Sequence, residues 1–284
     1  MHKQKFIEVS ESCFVDSDYE AAFSEAGLTS IDAVFSFNGG RNLSKNNLAK
    51  YRARLQFEIN TPPVTVFLKR YDRPPILVQL RNWLAALGRI SCGVFDVKAS
   101  GQLAAVGINT PKTLSYSEQW CALFEKRSFV ITEKIPNAES LERKLPDSFN
   151  KPHTVEKLRL RRSFIAELAA FIRKFHDTGY RHRDLYLSHV FYSDSREFYL
   201  IDLSRVFRPV VRGQRFRVKD IAQLYYSAPA KYFSKTDRLR FYISYVGRNK
   251  LTRKDKAFIR KLIHKTRWMA RHEIKHGREV PFQS

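Results

Sequence analysis

The sequence is short of cysteine, of acidic charge and of long apolar runs. Its three cysteines, Cys13, Cys92 and Cys121, are odd in number and include no CxxC pair, which argues against a disulfide framework and a cysteine-ligated zinc site. No apolar run approaches the ~20 residues that a membrane-spanning helix needs. The N-terminal stretch MHKQKFIEVSESCF has no apolar core of the kind a secretory signal carries. Internal repeats and low-complexity tracts are missing too. These absences lead to the expectation of a soluble, cytoplasmic globular protein.

What is present is aromatic and basic. The 284 residues suit two modest domains or one large one. With 22 Phe, 13 Tyr and 3 Trp there is ample material for a packed core, and disorder is excluded. Fifty-one Lys and Arg against 28 Asp and Glu leave a formal net charge of +23. Such a balance favours polyanionic partners, namely nucleic acid, an anionic membrane face or phosphorylated substrates. The excess is concentrated at the end, where Lys231–Ser284 holds sixteen basic and four acidic residues.

The first half reads as strands at 31–37 (IDAVFSF), 51–59 (YRARLQFEI) and 64–70 (VTVFLKR), the last two alternating apolar and polar residues. Asn38-Gly39-Gly40 is a turn after the first of these, and Asn60-Thr61-Pro62-Pro63 a turn between the next two. A helix is predicted over 76–90, a second over about 94–106 ending at Gly107, then strands near 111–116 and 127–133. After Pro136 the pattern becomes helical. In 154–178, Leu158, Ile165, Leu168, Ile172 and Phe175 share one stripe, and Gly179 supplies the stop. Short strands at 189–193 and 198–203 flank a turn at Asp194-Ser195-Arg196. Phe258, Leu262, Ile263 and Trp268 give the basic C-terminal helix, 252–276, its apolar stripe. A β-rich front, a junction near 133–137 and a helical back make two lobes.

The most specific segment is His182-Arg183-Asp184-Leu185-Tyr186-Leu187-Ser188-His189, followed by Ile201-Asp202-Leu203. A carboxylate on a loop after a long helix, and a second at the end of a short strand, is the arrangement that phosphoryl transfer uses. The first Asp orients or accepts the proton of the attacking hydroxyl. The second holds Mg²⁺. The cation such a site needs on the phosphates is Lys69, on the strand third in predicted order. Gly39 and Gly40 are candidates for letting backbone N–H groups approach phosphate.

These stretches resemble the lipopolysaccharide core heptose kinase family, which is related to the Kdo kinases. The resemblance spans roughly residues 35–247 and includes Gly107-Ile108-Asn109-Thr110, Ser128-Phe129-Val130-Ile131-Thr132-Glu133, Ser140-Leu141-Glu142 and Lys219-Asp220-Ile221-Ala222-Gln223-Leu224. It implies an α+β, protein-kinase-like two-lobed fold, with a β-rich N-lobe over 1–133 and a helical C-lobe over 137–284. It also implies ATP and Mg²⁺ as cofactors and a heptose or Kdo hydroxyl of the lipopolysaccharide inner core as acceptor. Lys69 then matches the ATP-binding lysine, Asp184 the catalytic Asp and Asp202 the metal-binding Asp. Glu133 matches the hinge residue at adenine, and Asp220 the residue that braces the catalytic loop, with His182 in support.

Three departures bear on chemistry. Asp96 stands where the family has the Glu that pairs with the strand lysine, and is one methylene shorter. His189 stands where protein kinases carry Asn; Mg²⁺ prefers oxygen, so His189 is either a metal ligand or a hydrogen-bond partner of phosphate or Asp184. Ser204 replaces the glycine of Asp-Phe-Gly. The segment after Asp202 is too short for a peptide-docking platform. It carries Arg205, Arg208, Arg212, Arg215, Arg217 and Lys219, which suit carboxylates and phosphates, with Arg205, Arg208 and Arg212 as the substrate-binding candidates. The expected partners are a lipid-linked core oligosaccharide and an anionic inner-membrane surface, with the basic charge admitting an acidic carrier protein. Nucleic acid is not expected, since no reading motif for it occurs. The competing readings are an atypical protein kinase and a nucleic-acid-binding protein or pseudokinase on a kinase scaffold.

Overall fold

A computed structural model describes residues 4–43, 49–61, 63–149, 154–277 and 280. Pro62 of the second predicted turn lies outside the described residues. The chain divides into two compact units, up to Pro136 and from Asn137.

The first unit runs β1 (Phe6–Ser10), β2 (Cys13–Asp16), α1 (Glu20–Glu25), α2 (Ile31–Ser36), β3 (Arg41–Asn42), β4 (Arg52–Asn60), β5 (Pro63–Asp72), α3 (Ile76–Ala86), α4 (Cys92–Ala105), β6 (Thr113–Cys121) and β7 (Phe124–Glu133). The strands form one antiparallel sheet in the order β1-β2-β6-β7-β5-β4-β3. Alternation along β5 buries Val66 and Leu68 in a core with Phe129, Ile131 and Leu114, and turns Phe67 and Lys69 to the other face.

Two expectations are corrected here. Of residues 31–37, Ile31–Ser36 form a helix, α2, rather than a strand. The Ser30 side chain accepts from the Ala33 N–H, capping the helix, and Ile31 and Val34, three apart, enter the core. The cap and that spacing outweigh the β-propensity of Ile, Val and Phe. Asn38-Gly39-Gly40 therefore follows a helix and leads into β3. Lys69 consequently lies on the fifth strand in chain order, not the third, because β1, β2 and β3 precede β4. Gly40 has φ +87°, and a Cβ there would stand 2.4 Å from the Gln56 carbonyl oxygen. Close approach to β4 thus accounts for this glycine without invoking phosphate.

Helix α4 packs on β6 and β7, burying Phe95, Asp96, Ala99 and Leu103. Its Ser91 cap accepts from Val94 N–H, and Gly93 N–H donates to Ser128 Oγ at 2.9 Å. A Cβ on Gly93 would lie 2.8 Å from the Phe129 carbonyl oxygen, so glycine is what lets the first turn of α4 lie against β7.

The second unit runs β8 (Ala138–Ser140), α5 (Leu141–Phe149), α6 (Val155–Asp177), β9 (Val190–Ser193), β10 (Phe198–Leu200), α7 (Gly213–Ser227), α8 (Lys235–Val246) and α9 (Arg253–Lys275). The α6 stripe buries Ile165, Leu168, Ile172 and Phe175, while Leu158 is half-buried. β10, β9 and β8 make a small antiparallel sheet. The loop 178–189 enters this sheet and Asp202 leaves it, so the hairpin sets the spacing between Asp184 and Asp202. In α9, Leu262 and Met269 are buried, but Trp268 is exposed, contrary to the predicted stripe. Lys265 Nζ lies 3.7 Å from its ring centroid, and the cation covers the indole in place of the core.

Gly93→Ala is expected to lower stability by ~1–3 kcal/mol through overpacking against β7, measured by urea unfolding. An unchanged midpoint would mean that α4 has room to shift.

Candidate active site

In the first unit, Lys69 Nζ pairs with Asp96 Oδ2 at 2.9 Å. Asp96 is buried, and the same oxygen accepts from Tyr71 O–H at 3.2 Å. The shorter side chain therefore does reach the strand lysine, because Gly93 seats α4 close to the sheet. Glu133 ends β7, in register with Val66. Burial raises its carboxyl above the ordinary value, opposed by Lys112. Gly39 and Gly40 sit in an exposed stretch before β3.

In the second unit, the loop bearing Asp184 hangs from one face of α7. Asp220 is fully buried; its Oδ2 accepts from His182 N–H at 2.9 Å and its Oδ1 from Arg183 N–H at 2.7 Å. Three residues on, Gln223 Oε1 accepts from Leu185 N–H at 3.2 Å. One turn further, Ser227 Oγ accepts from Leu187 N–H at 3.0 Å. Residues 220, 223 and 227 lie on one helical face, so α7 offers a row of acceptors to the loop backbone. Gln223 and Ser227 were missed by the sequence reading; the signal was polar side chains at helical spacing after Asp220.

Two histidines complete the buried support. His176 Nε2 lies 3.3 Å from Asp220 Oδ2, and its Nδ1 lies 2.8 Å from Tyr245 Oη. Burial pushes its pKa down, so the neutral ring donates from Nε2 to the carboxylate and accepts the tyrosine proton at Nδ1. His182 is wholly buried and likewise pushed down by burial. Its Nε2 donates to the Ile201 carbonyl at 2.9 Å, tying the loop to the strand end before Asp202.

Asp184 itself is about one quarter exposed. Arg205 Nη1 stands 3.0 Å from its Oδ2, and Lys219 Nζ 3.9 Å from its Oδ1. Its carbonyl oxygen lies 2.7 Å from His189 Nδ1. A carbonyl can only accept, so Nδ1 carries the hydrogen, and Nε2 faces Asp202 Oδ2 at 3.8 Å. Asp202 has φ +57°, and Ser204 Oγ donates to its Oδ1 at 3.3 Å. Asp202 Oδ2 is the oxygen donor at this point, and a single carboxylate is a sufficient protein contribution for Mg²⁺ when phosphate and water supply the rest. The Asp202 carboxylate fits the metal. Among the described residues, no group of three or more His, Cys, Asp or Glu converges on a metal position.

Of the arginines in the segment after Asp202, Arg205 is the one paired with Asp184. Arg208 lies over the Tyr180 ring, and Arg212, at φ +57°, precedes α7. The larger cationic feature combines residues distant in sequence. A groove of about 840 Å³ between α7 and α9 is lined by Arg183, Arg215, Lys219, Lys254, Lys261 and Lys265, with Phe216 and Phe258 and, among the described residues, no acid. Burial pushes the Lys219 and Lys265 amines down, Asp184 opposing this at Lys219; Arg183 and Arg215 add like charge. An anion would relieve that repulsion.

A sheet lysine paired to a helix carboxylate, and a helical unit with a braced His-Arg-Asp loop before a hairpin and a second Asp, define a protein-kinase-like fold. A solved structure, "WaaP in complex with acyl carrier protein", shares that fold with a TM-score of 0.64 at 23% identity, over 83% of this chain and 90% of that one. The family model for lipopolysaccharide kinases (Kdo/WaaP) matches residues 78–245, and the chain belongs to that family. It is 28% identical over 204 residues to the lipopolysaccharide core heptose(I) kinase WaaP of Escherichia coli K12, spanning 69% of this chain and 75% of that protein. To the kinase of the same name from Pseudomonas aeruginosa it is 28% identical over 158 residues, 53% of this chain and 58% of that protein.

Because His176 and His182 are held neutral below the ordinary 6.5, the unfolded chain takes up more protons than the folded one as pH falls through about 6.5. Stability is full above that pH and declines below it. Thermal unfolding midpoints are expected to drop between about pH 7.5 and 5.5, where few carboxylates titrate; equal midpoints would contradict the assignment of both rings as neutral.

Proposed function

We propose that the protein transfers the γ-phosphate of ATP to a heptose hydroxyl of the lipopolysaccharide inner core. The observation that carries this reading is the Asp184 loop, fastened to Asp220, Gln223 and Ser227 through its own backbone. A loop held this way presents a carboxylate at a fixed position, as in-line phosphoryl transfer requires. The names of the relatives support the heptose acceptor, and membership of the family supports the reaction class.

In this mechanism Asp184 orients the acceptor hydroxyl and takes its proton as the oxygen attacks phosphorus. Arg205 pins the carboxylate until the hydroxyl competes for it. Lys69, set by Asp96, stabilises charge on the phosphate oxygens, and Glu133 belongs to the adenine side. Mg²⁺, held by Asp202 with His189 facing it, would supply positive charge to the phosphates when bound. The α7–α9 groove takes the carboxylates and phosphates of the acceptor through Lys219, Lys254, Lys261 and Lys265.

A lipid-linked acceptor places the work at the cytoplasmic face of the inner membrane. No helix among the described residues is long and apolar enough to cross a membrane, so a peripheral association is the form proposed. The net charge of +23 and the carrier-protein complex of the structural relative support an acidic carrier protein as a further partner.

The test is transfer from γ-labelled ATP to phosphate-free core lipopolysaccharide, with casein and buffer as parallel acceptors. Label is expected in the glycolipid and reduced by about 10³-fold or more in Asp184→Ala. Lys261→Glu/Lys265→Glu should raise the acceptor KM and leave that for ATP unchanged. Label in casein alone, or full activity without the Asp184 carboxylate, would overturn the proposal.

A further inference from the structure

Helix α3 is inside out. Its two buried residues, Gln79 and Asn82, are polar. Leu77, Leu84 and the C-cap Leu87 are exposed by 81, 79 and 89%, and Ile76 and Leu80 are also exposed. Positions 77, 80, 84 and 87 fall three, four and three residues apart, which is one continuous helical stripe. A folded protein rarely leaves such a stripe to water.

The inward bonds fix this orientation. Gln79 Nε2 donates to the Pro74 carbonyl at 2.7 Å, and its Oε1 accepts from Glu125 N–H at 2.8 Å. Asn82 Nδ2 donates to Cys92 Sγ at 3.5 Å. Trp83 Nε1 donates to the Ile90 carbonyl at 3.0 Å, and its ring stacks on Phe124. Rolling the leucines inward would break these bonds and strand buried polar groups. The backbone adds an independent sign. Leu87 sits at φ +56° in the left-handed conformation, a helix-end position that glycine fills without strain, although Gly88 is the next residue. Strain kept for the sake of an outward leucine points to use of that side chain.

We propose that this face enters the interfacial region of an anionic bilayer, with Arg73 against the headgroup phosphates and Arg89, which stacks on Trp120 and donates to the Ala122 carbonyl, beside them. Helix α3 has no acidic residue and these arginines flank it, the pattern of helices that lie in a membrane surface. An 11-residue helix is about 16 Å long, too small alone for the ~800 Å² per partner of a stable protein interface, whereas a bilayer needs no complementary shape. Helix α9, the basic element that composition draws to a membrane, offers only Trp268 and Ile274 as large exposed apolar residues. The inference refines the membrane location proposed above and rests on that reading for its biological setting, but its test reads vesicle binding, so kinase failure and docking failure are separate results.

The full chain is sedimented with vesicles of phosphatidylethanolamine and phosphatidylglycerol, and with phosphatidylcholine alone. Wild type is expected to bind the anionic vesicles. Leu77→Ser/Leu84→Ser/Leu87→Gly should lower partitioning about tenfold or more, with the unfolding midpoint kept or raised because Leu87→Gly removes left-handed strain. Trp268→Ser/Ile274→Ser should change binding by less than about twofold. Wild-type partitioning by the triple variant, or no binding by wild type, would overturn the proposal. So would a wild-type dimer that the triple variant turns into monomer, which would make the face a protein interface.

Discussion

The second unit is organised around one buried carboxylate. Asp220 has no exposure to solvent and accepts from two consecutive backbone N–H groups and from a neutral histidine. Hydrogen bonds to a charged acceptor contribute about 1.5–3 kcal/mol each, and together they offset the cost of burying the charge. They also hold Arg183 at φ +69°, a conformation that a non-glycine residue adopts at a cost. That turn sets where Asp184 points. Gln223 and Ser227 continue the row along the loop, His182 ties it to Ile201, and His189 meets both the Asp184 carbonyl and Asp202. Remove the first carboxylate and each later position loses its reference.

The first unit solves a similar problem with close packing. Gly93 brings α4 onto β7, so that aspartate reaches Lys69 at 2.9 Å. A buried ion pair gives little net stability, since desolvation consumes most of the Coulomb gain. Its value here is orientation: the lysine is fixed at one point on the sheet. Both units thus hold functional charge by surrounding it with ordered dipoles and short contacts, and leave the cationic excess for surfaces that meet anions.

Legibility in the sequence followed locality. Alternation in 51–59 and 64–70 is a strand signal that needs no tertiary information, and those segments are β4 and β5. The α6 stripe is equally local. Residues 31–37 read as a strand because Ile, Val and Phe favour one, whereas Ser30 and the three-residue gap between Ile31 and Val34 decide for a helix. The β1–β2 pair went unpredicted, since Phe6–Ser10 shows only a weak burial pattern. Asp184, Asp202 and Lys69 stood out by type and spacing, Asp220 and Asp96 only through the family resemblance, and the structure brings Lys69 to Asp96, and Asp184 and Asp202 to His189. The α7–α9 groove could not be read, because it combines side chains from two helices that only the fold brings together. Nor could the outward leucines of α3, since the same periodicity describes a helix facing either way, and only the bonds of Gln79 and Asn82 choose.

The central claim is that Asp220 holds the loop that presents Asp184. Hydrogen exchange in Asp220→Asn, compared with wild type under native conditions, tests it most directly. The account predicts loss of protection at the His182, Arg183 and Leu185 amides, while α6 and β5 keep theirs. Unchanged protection at those three amides in a folded variant would contradict it.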